Sequence, residues 1–314
     1  MNRILGAAGL AALATAAATP AAAADPESCT EVSFADIGWT DITATTALAS
    51  SVLRGLGYEP GTTLLSVPVT YQSLARGDID VFLGNWMPSM EADIAPYSEA
   101  GTVETVRANL EGAKYTLAVS GSLAAEGLTR FEHIADFAEA LDGRIYGIEP
   151  GNDGNRLIID MIEADAFGLG GFSLAESSEQ GMLAQAARAE RQGEGIVFLG
   201  WEPHPMNANL DMVYLEGGDE VFGPDLGGAT VYTNTRAGLA EDCPNLGRFL
   251  DNLGFTLEME NEVMAAILDD GRDPDEAARE WLAQNAAVLE GWLAGVTTRS
   301  GEDGLAAARE ALGA

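Results

Sequence analysis

The stretch that decides the fold is VFLGNWMPS, at residues 81–89. A short apolar run of strand length ends here at Gly84, and an indole, Trp86, follows where a helix should begin. The same order occurs at residues 32–41, which read VSFADIGWTD, and at residues 196–203, which read IVFLGWEP. The sequence therefore places a tryptophan at the carboxyl end of a predicted strand three times.

These junction tryptophans predict a shared ligand site. In open α/β sheets, ligands bind at the carboxyl edge of the strands, so Trp39, Trp86 and Trp201 are expected to converge there. Three indoles would form a cage for something flat, apolar or cationic. A single tryptophan after a strand more often packs in the core or at its rim, and that alternative stands for each one taken alone. Trp281 and Trp292, at near-helical spacing late in the chain, are interpreted as packing residues.

Composition excludes nucleic acid as a partner. The chain has 314 residues, of which 47% are hydrophobic, enough for a sizeable core divided between two lobes. It carries 16 Lys+Arg against 49 Asp+Glu, a formal charge of −33, which has the wrong sign for binding phosphates. We interpret this acidity as a solubility feature suited to salty surroundings.

The amino terminus predicts export. Residues 1–24 combine a positively charged start, an Ala/Leu-rich run too short for a membrane span, and small residues before Asp25. A signal peptide is therefore expected to be cleaved near Ala24, which leaves a periplasmic protein. Cys29 and Cys243 are the two cysteines, and their pairing is expected in an oxidising periplasm.

Predicted strands and helices alternate through the first hundred residues, which is typical of an α/β fold with a mainly parallel sheet flanked by helices. Apolar periodicity predicts strands at residues 31–37, at residues 62–69 and just before Trp86. Helices are predicted at residues 41–56, at residues 71–76 and up to about residue 99.

A second lobe is predicted to begin at the strand 115–119. Its further strands are predicted at residues 144–148, 172–175, 196–199 and 212–215, and its helices near residues 131–141, 156–167 and 178–192. The strand 227–233 returns to the first lobe. Lobe one is thus predicted to comprise residues 25–112 and 230–314, and lobe two residues 113–229. Two crossings between two lobes are typical of a hinged clamp.

Side chains from both lobes are candidates for one ligand site between them. A quaternary ammonium has no N–H to donate, so aromatic faces and a negative charge must hold it. Four rings and one carboxylate could reach micromolar affinity if the lobes close and expel water. The candidates are Trp39, Asp41 and Trp86 from lobe one, and Tyr115, Asn152 and Trp201 from lobe two.

Two of these candidates also have ordinary structural interpretations. Asp41 stands where a helix begins and could be its N-cap. Asn152 lies in a Gly-containing loop before a helix and could be an N-cap or a turn residue, although its amide could also hydrogen-bond a ligand hydroxyl. The loop lacks the Lys-Ser/Thr pair of a phosphate-binding loop. Both alternatives stay open at this point.

Five phrases resemble those of a known family. They are GWTD at residues 38–41, GNWMPS at 84–89, KY at 114–115, PGN at 150–152 and GWEPHP at 200–205. Together they are similar to periplasmic substrate-binding proteins of glycine betaine/choline ABC transporters, and most similar to the choline-binding receptors. The resemblance covers nearly all of the mature chain, and the joint pattern is specific although each phrase alone is not.

The resemblance implies a type II-like, two-lobed binding protein that closes on choline and passes it to a membrane permease. In that family Trp39, Trp86, Tyr115 and Trp201 would form an aromatic box, Asp41 would contact the cation, and Asn152 the choline hydroxyl. The two cysteines match the family's disulfide. A monomer without cofactor or metal is expected.

The sequence favours a binding protein and not an enzyme. His133 and His204 are the only histidines, and no His/Cys cluster or Gly-x-Ser-x-Gly elbow accompanies them. Glycine betaine, carnitine and trimethylamine N-oxide are near alternatives to choline, and delivery to a chemosensor is an alternative to transport.

Charge favours choline over glycine betaine. A site normally meets a carboxylate with a basic side chain, and none of the five phrases offers Arg. Lys114 is the strand neighbour of Tyr115, so its side chain should point to the opposite face. Asp41 would repel the carboxylate of a zwitterion.

Overall fold

The computed structural model describes residues 24–313, so the predicted signal peptide lies outside the described residues apart from Ala24. The strands are β1 (Glu31–Asp36), β2 (Glu59–Leu64), β3 (Val81–Met87), β4 (Val103–Ser120), β5 (Arg144–Tyr146), β6 (Ser173–Ala175), β7 (Val197–Glu202), β8 (Met212–Tyr214) and β9 (Gly228–Arg236).

The helices lie between the strands and, in the last quarter of the chain, follow them. The α-helices are α1 (Thr40–Gly55), α2 (Val67–Arg76), α3 (Glu91–Glu99), α4 (Gly121–Ala125), α5 (Asp153–Glu163), α6 (Glu179–Gln192), α7 (Met206–Asn209), α8 (Asp219–Phe222), α9 (Pro224–Gly227), α10 (Leu239–Asp242), α11 (Pro244–Asn252), α12 (Leu257–Leu268), α13 (Pro274–Gln284), α14 (Val288–Trp292) and α15 (Gly304–Leu312). Short 3₁₀ helices occur at Glu27–Cys29, Phe131–Phe137 and Ala166–Gly171.

The strands form one mixed sheet in the order β2-β1-β3-β9-β4-β7-β5-β6, with β8 beside β4. Neighbouring strands are parallel at its two outer parts, which we name the β1 end (β2, β1, β3) and the β5 end (β7, β5, β6). At the centre, β4 and β9 run antiparallel to each other and to their other neighbours. The α/β class is confirmed, and the antiparallel centre adds to the parallel order that the sequence predicts.

The longest strand, β4, joins the two ends of the sheet. It pairs with β9 over its first part and with β7 over its last. The sequence predicts only residues 115–119 of it, because the first part mixes buried, exposed and charged residues without the regular alternation of a strand. Ala113 pairs with Ala229 close to the two predicted crossings, and the division of the chain into lobes stays a prediction.

At two places the secondary structure is of a different type from the one that the sequence predicts. Residues 62–69 are predicted as one strand, but β2 ends at Leu64 and α2 begins at Val67, with Pro68 in its first turn. The β-branched residues of this stretch favour a strand, whereas proline is preferred at a helix start, and here the helix forms. The α-helix predicted near residues 131–141 is a 3₁₀ helix that ends at Phe137.

Helix α1 is buried along most of its length because the C-terminal helices α12, α13 and α15 cover it. Gly84 allows β3 to approach this helix closely. A Cβ atom at Gly84 would lie 2.6 Å from Cδ1 of Ile42, so a larger residue there would require the Ile42 side chain to shift. This approach places the start of α1, with Asp41, beside the end of β3, with Trp86.

A disulfide fastens the amino-terminal end of the described chain to its last third. It joins Cys29, just before β1, to Cys243, just before α11, with Cα atoms 5.9 Å apart, and so confirms the predicted pairing. Across residues 24–313, no helix has the length and apolar character needed to cross a membrane.

Candidate ligand-binding site

Four aromatic rings meet where the two ends of the sheet face each other. Trp86 and Trp201 are the next-to-last residues of β3 and β7, and Trp39 directly precedes α1. Tyr115 lies on β4 opposite Trp201 in the register of the sheet. The centroid of the Tyr115 ring lies 6.0 Å from that of Trp86 and 6.4 Å from that of Trp201.

These rings line a small cavity. None of its lining residues is more than 6% exposed, so the cavity wall is shielded from bulk solvent. The lining residues are Trp39, Asp41, Trp86, Tyr115, Ile148, Asp153 and Trp201. The structure thus brings five of the six candidate residues to one cavity, leaves Asn152 off its wall, and adds an aspartate that sequence reasoning missed.

Asp41 lies on the wall of this cavity. It is the second residue of α1, and the N-cap position belongs to Trp39, so the N-cap interpretation of Asp41 is wrong. Its Oδ2 accepts a hydrogen bond from Nε1 of Trp86 at 3.1 Å, whereas its Oδ1 is buried with no hydrogen-bond partner among residues 24–313. Burial, and next the negative charge of Glu179, raise the pKa of Asp41 to about 8.

Asn152 is the N-cap of α5. Its Oδ1 accepts hydrogen bonds from the backbone N–H of Asn155 at 3.1 Å and from the hydroxyl of Tyr115 at 3.0 Å. Its Nδ2 donates to Oδ1 of Asp153 at 3.1 Å. The capping interpretation therefore describes this side chain as the structure has it.

Asp153 is the first residue of α5 and is fully buried. Its Oδ2 is buried with no hydrogen-bond partner in the described part of the chain. Burial is the main reason that the pKa of Asp153 rises to about 6. A signal for this residue exists in the sequence, since two polar residues, Asn152 and Asp153, stand side by side in the loop before the predicted helix 156–167. Which of the two faces a cavity depends on the orientation of α5, and the sequence does not show it.

Hydrogen bonds between the two ends of the sheet hold the cavity shut. Nε1 of Trp39 donates to Oε1 of Glu149 at 2.9 Å. The backbone N–H and the hydroxyl of Thr40 both donate to the carboxylate of Glu179, at 2.8 and 2.5 Å. Burial raises the pKa of Glu149 to about 7. The N-terminal segment of α1 is thus bound to residues of the β5 side.

A second link crosses the same gap through α5. Nη1 of Arg156 donates to both carboxylate oxygens of Asp93 on α3, at 3.0 and 2.8 Å. Nη2 of Arg156 donates to the backbone carbonyl of Ser89 at 3.0 Å. The ion pair is partly buried, so it is less screened by solvent than a surface pair.

The basic side chains of Lys114 and His204 bind protein groups outside the cavity. Nζ of Lys114 lies 2.7 Å from Oε2 of Glu202, which agrees with its expected direction away from Tyr115. Nδ1 of His204 accepts from the backbone N–H of Met206 at 2.9 Å, so the hydrogen of a neutral ring lies on Nε2. Within residues 24–313, the cavity wall contains no lysine, arginine or histidine.

The fold and the enclosed site define a two-lobed solute-binding protein. A solved ABC-transporter choline-binding protein in complex with choline is 63% identical, covers 92% of this chain and 100% of its own, and matches with a TM-score of 0.91. An unliganded semi-closed conformation of an ABC-transporter choline-binding protein has the same identity and coverages but a TM-score of 0.85. The described conformation is therefore more similar to the choline-bound structure.

A match to a protein-family model assigns the chain to a family. The model of the substrate-binding domain of ABC-type glycine betaine transport systems matches residues 30–284, and the chain belongs to this family. The glycine betaine/carnitine transport binding protein GbuC of Listeria monocytogenes serotype 1/2a (strain 10403S) is 30% identical over 189 residues, which are 60% of this chain and 60% of GbuC.

Proposed function

We propose that this protein is the choline receptor of an ABC importer and binds choline in the aromatic cavity between the two ends of its sheet. The observation that carries the proposal is the wall of the cavity, where four aromatic rings are combined with two carboxylates and no basic group among the described residues.

The physical basis is the desolvated cation–π contact. Each contact between a cation and an aromatic ring contributes about 0.5–1 kcal/mol when exposed and about 2 kcal/mol or more when desolvated. The rings here are all buried, so the larger figure applies once the cavity is closed. Asp41, with Oδ1 unpartnered among the described residues, would supply the negative charge, because a bound ammonium favours the ionised carboxylate and opposes the burial that raises the pKa of this group.

Glycine betaine is the second candidate, favoured by the description of the family. Its ammonium fits the same rings, but its carboxylate would enter a closed space that also holds Asp41 and Asp153. Like charges in a low-dielectric cavity repel strongly, and no basic side chain of the described wall compensates. Choline, which carries a hydroxyl in place of the carboxylate, avoids this repulsion.

The remaining parts of the proposal follow from the family. We infer that the protein works as a monomer in the periplasm, delivers its ligand to a membrane permease, and releases the ligand chemically unchanged. Membership in a family of transport substrate-binding domains supports these statements. The sequence pattern of a cleaved signal peptide near Ala24 supports export.

Calorimetric titration of the mature protein with choline, glycine betaine, carnitine and trimethylamine N-oxide tests the proposal. Choline should bind at least about tenfold more tightly than glycine betaine, or about 1.4 kcal/mol. Asp41→Asn should narrow that gap, because loss of the negative charge weakens binding of the full cation more than of the zwitterion. Equal affinities in the wild type, or an unchanged ratio in the variant, would overturn the charge argument.

A further inference from the structure

A buried aspartate lies beside the disulfide, away from the aromatic cavity. Asp25, the first residue after the predicted cleavage point, is only 4% exposed. One of its carboxylate oxygens and the Sγ atoms of Cys29 and Cys243 all lie within 4.8 Å of one another. The three groups are not a metal site in this state, because metals bind thiolates and the two sulfur atoms are bonded to each other. A carboxylate so close to a disulfide can instead influence how readily its sulfur atoms exchange with thiols.

The position of Cys243 in the fold favours a reactive disulfide. Cys243 is the N-cap residue of α11, a helix of 9 residues. The first N–H groups of a helix and its dipole favour negative charge, so cysteines at such a position ionise more readily than usual. A thiol that ionises readily also leaves readily when another thiol attacks its disulfide. Position alone would therefore make Cys243 a good leaving group.

Asp25 occupies the N–H groups that would stabilise a thiolate at Cys243. The first residue of α11 is Pro244, which has no N–H to offer. The next two backbone N–H groups, of Asn245 and Leu246, donate to Oδ1 and Oδ2 of Asp25 at 2.8 and 3.0 Å. Asp25 thus caps α11 in place of the side chain of Cys243, which is committed to the disulfide. Its negative charge also opposes a second negative charge on the nearby sulfur.

Neighbouring side chains hold the carboxylate of Asp25 against the helix. The hydroxyl of Tyr58 donates to Oδ2 of Asp25 at 2.9 Å. Nδ2 of Asn245 donates in turn to the hydroxyl oxygen of Tyr58 at 2.9 Å. Asp25, Tyr58 and Asn245 are all buried, so water does not compete freely for these hydrogen bonds. The carboxylate therefore stays at the start of α11 while the protein is folded.

We infer that Asp25 protects the disulfide from thiol exchange by denying Cys243 the stabilisation that a helix start gives to a thiolate. In this exchange the thiolate of a dithiol reagent forms a bond to Sγ of Cys29, and the Sγ–Sγ bond breaks with its electron pair on Cys243. The second thiol of the reagent then displaces Cys29. The reagent is oxidised to a disulfide, and the two reduced protein sulfurs take up the two protons that the reagent loses. Asp25 raises the free energy of the first step, in which Cys243 leaves as an anion.

This role is independent of the ligand. Asp25 is not among the residues that line the aromatic cavity, so the inference stands or falls apart from the proposed function.

The first test measures how fast dithiothreitol reduces the disulfide of the folded mature protein, followed by alkylation and mass spectrometry. Asp25→Asn should be reduced about fivefold faster than the wild type or more, because Cys243 becomes a better leaving group. Asp242→Asn is the matched charge control and should change the rate less than about twofold, since this side chain is 60% exposed and paired with Arg236. Tyr58→Phe loosens the contact of Asp25 but keeps its charge, so it should accelerate reduction less than Asp25→Asn. Thermal unfolding verifies that each variant is folded.

A second measurement separates the charge of Asp25 from its packing. In Cys29→Ser the single thiol is Cys243, whose ionisation can be followed by the ultraviolet absorbance of the thiolate. Addition of Asp25→Asn should bring the pKa of this thiol below the ordinary value of about 8.5, because the start of α11 then stabilises the thiolate. Loosening of the structure alone would bring that pKa only to the ordinary value.

Three results would overturn the inference. They are equal reduction rates in the wild type and in Asp25→Asn, an acceleration as large in Tyr58→Phe or Asp242→Asn, and a Cys243 thiol that ionises no more readily once Asp25 is replaced. Should Asp25→Asn not fold, Asp25→Ser takes its place, because serine also caps helices but carries no charge. The same acceleration and the same lowered thiol pKa are expected there, and their absence would contradict the role of Asp25.

Discussion

Trp86 in the cavity and Trp292 among the C-terminal helices are equally buried, each 3% exposed, yet their surroundings differ in kind. The indole nitrogen of Trp292 donates to the backbone carbonyl of Gly254 at 2.9 Å, and its ring packs edge-on against Phe255. The indole nitrogen of Trp86 donates to Asp41, a buried carboxylate whose other oxygen has no partner within residues 24–313. Burial alone therefore does not separate a binding tryptophan from a packing one.

The two tryptophans differ in whether the buried polar groups around the ring have hydrogen-bond partners. Near Trp292 the indole is paired with a backbone group of the protein itself, as a stable core requires. Around Trp86 the protein leaves a shielded cavity and incompletely paired carboxylates, which a bound ligand could complete. The C-terminal helices contribute stability by covering α1, whereas the cavity is the proposed site of recognition. The following predictions test this separation.

The largest expected effect concerns stability alone. Replacing both cysteines, Cys29→Ser with Cys243→Ser, should lower the free energy of unfolding by roughly 3–5 kcal/mol, because the disulfide restricts a long loop in the unfolded chain. Choline affinity should stay within about twofold at a temperature where the variant is folded. Urea denaturation and calorimetry measure the two quantities. A large loss of affinity in the folded variant would show that the two regions are not separate, and free thiols in the unreduced wild type would exclude the disulfide.

Removal of one ring of the cavity should act on binding. Trp86→Ala should weaken choline binding by about 2 kcal/mol or more, roughly 30-fold, because a desolvated cation–π contact is lost. Trp281→Phe, on α13, is the matched control and should leave the affinity unchanged, since this indole donates to Glu262 far along the chain from the cavity residues. Calorimetry measures both. Equal losses in the two variants would indicate general destabilisation and contradict the distinction between them.

Loss of the link across the gap should weaken closure without changing selectivity. Arg156→Gln removes the charge-assisted bonds to Asp93 and should weaken choline and glycine betaine by the same factor, about tenfold or 1.4 kcal/mol. Small-angle scattering should show that more choline is needed to compact the variant than the wild type. A change confined to one ligand would show that Arg156 contacts the ligand and does not act through closure.

A smaller effect is expected in the pH dependence of stability. An unfolded aspartate ionises near 3.8, whereas the pKa of Asp41 in the closed fold is about 8, so folding takes up a proton between these values. The contribution of Asp41 to the free energy of unfolding therefore falls as pH rises from about 4 to about 8. Asp41→Asn, which needs no proton, should gain stability relative to the wild type over this window in ligand-free samples. Thermal unfolding from pH 5 to pH 8 measures the difference, and a constant difference would contradict the raised pKa.

Sequence patterns predicted most of the residues that line the cavity and some of the fold. The strand–Gly–Trp junctions could be identified because glycine and an indole after an apolar run are local signals, as at Trp39 and Trp201. The strand β4 could not be delimited, because its exposed first part lacks a clear apolar alternation. The role of Asp153 could not be separated from that of Asn152, because the two are adjacent and only the packing of α5 decides which one lines the cavity.

A crystal structure of the mature protein with choline tests the central claim most directly. The account predicts a trimethylammonium group within about 6 Å of the ring centroids of Trp39, Trp86, Tyr115 and Trp201. A choline bound outside these rings would contradict the account.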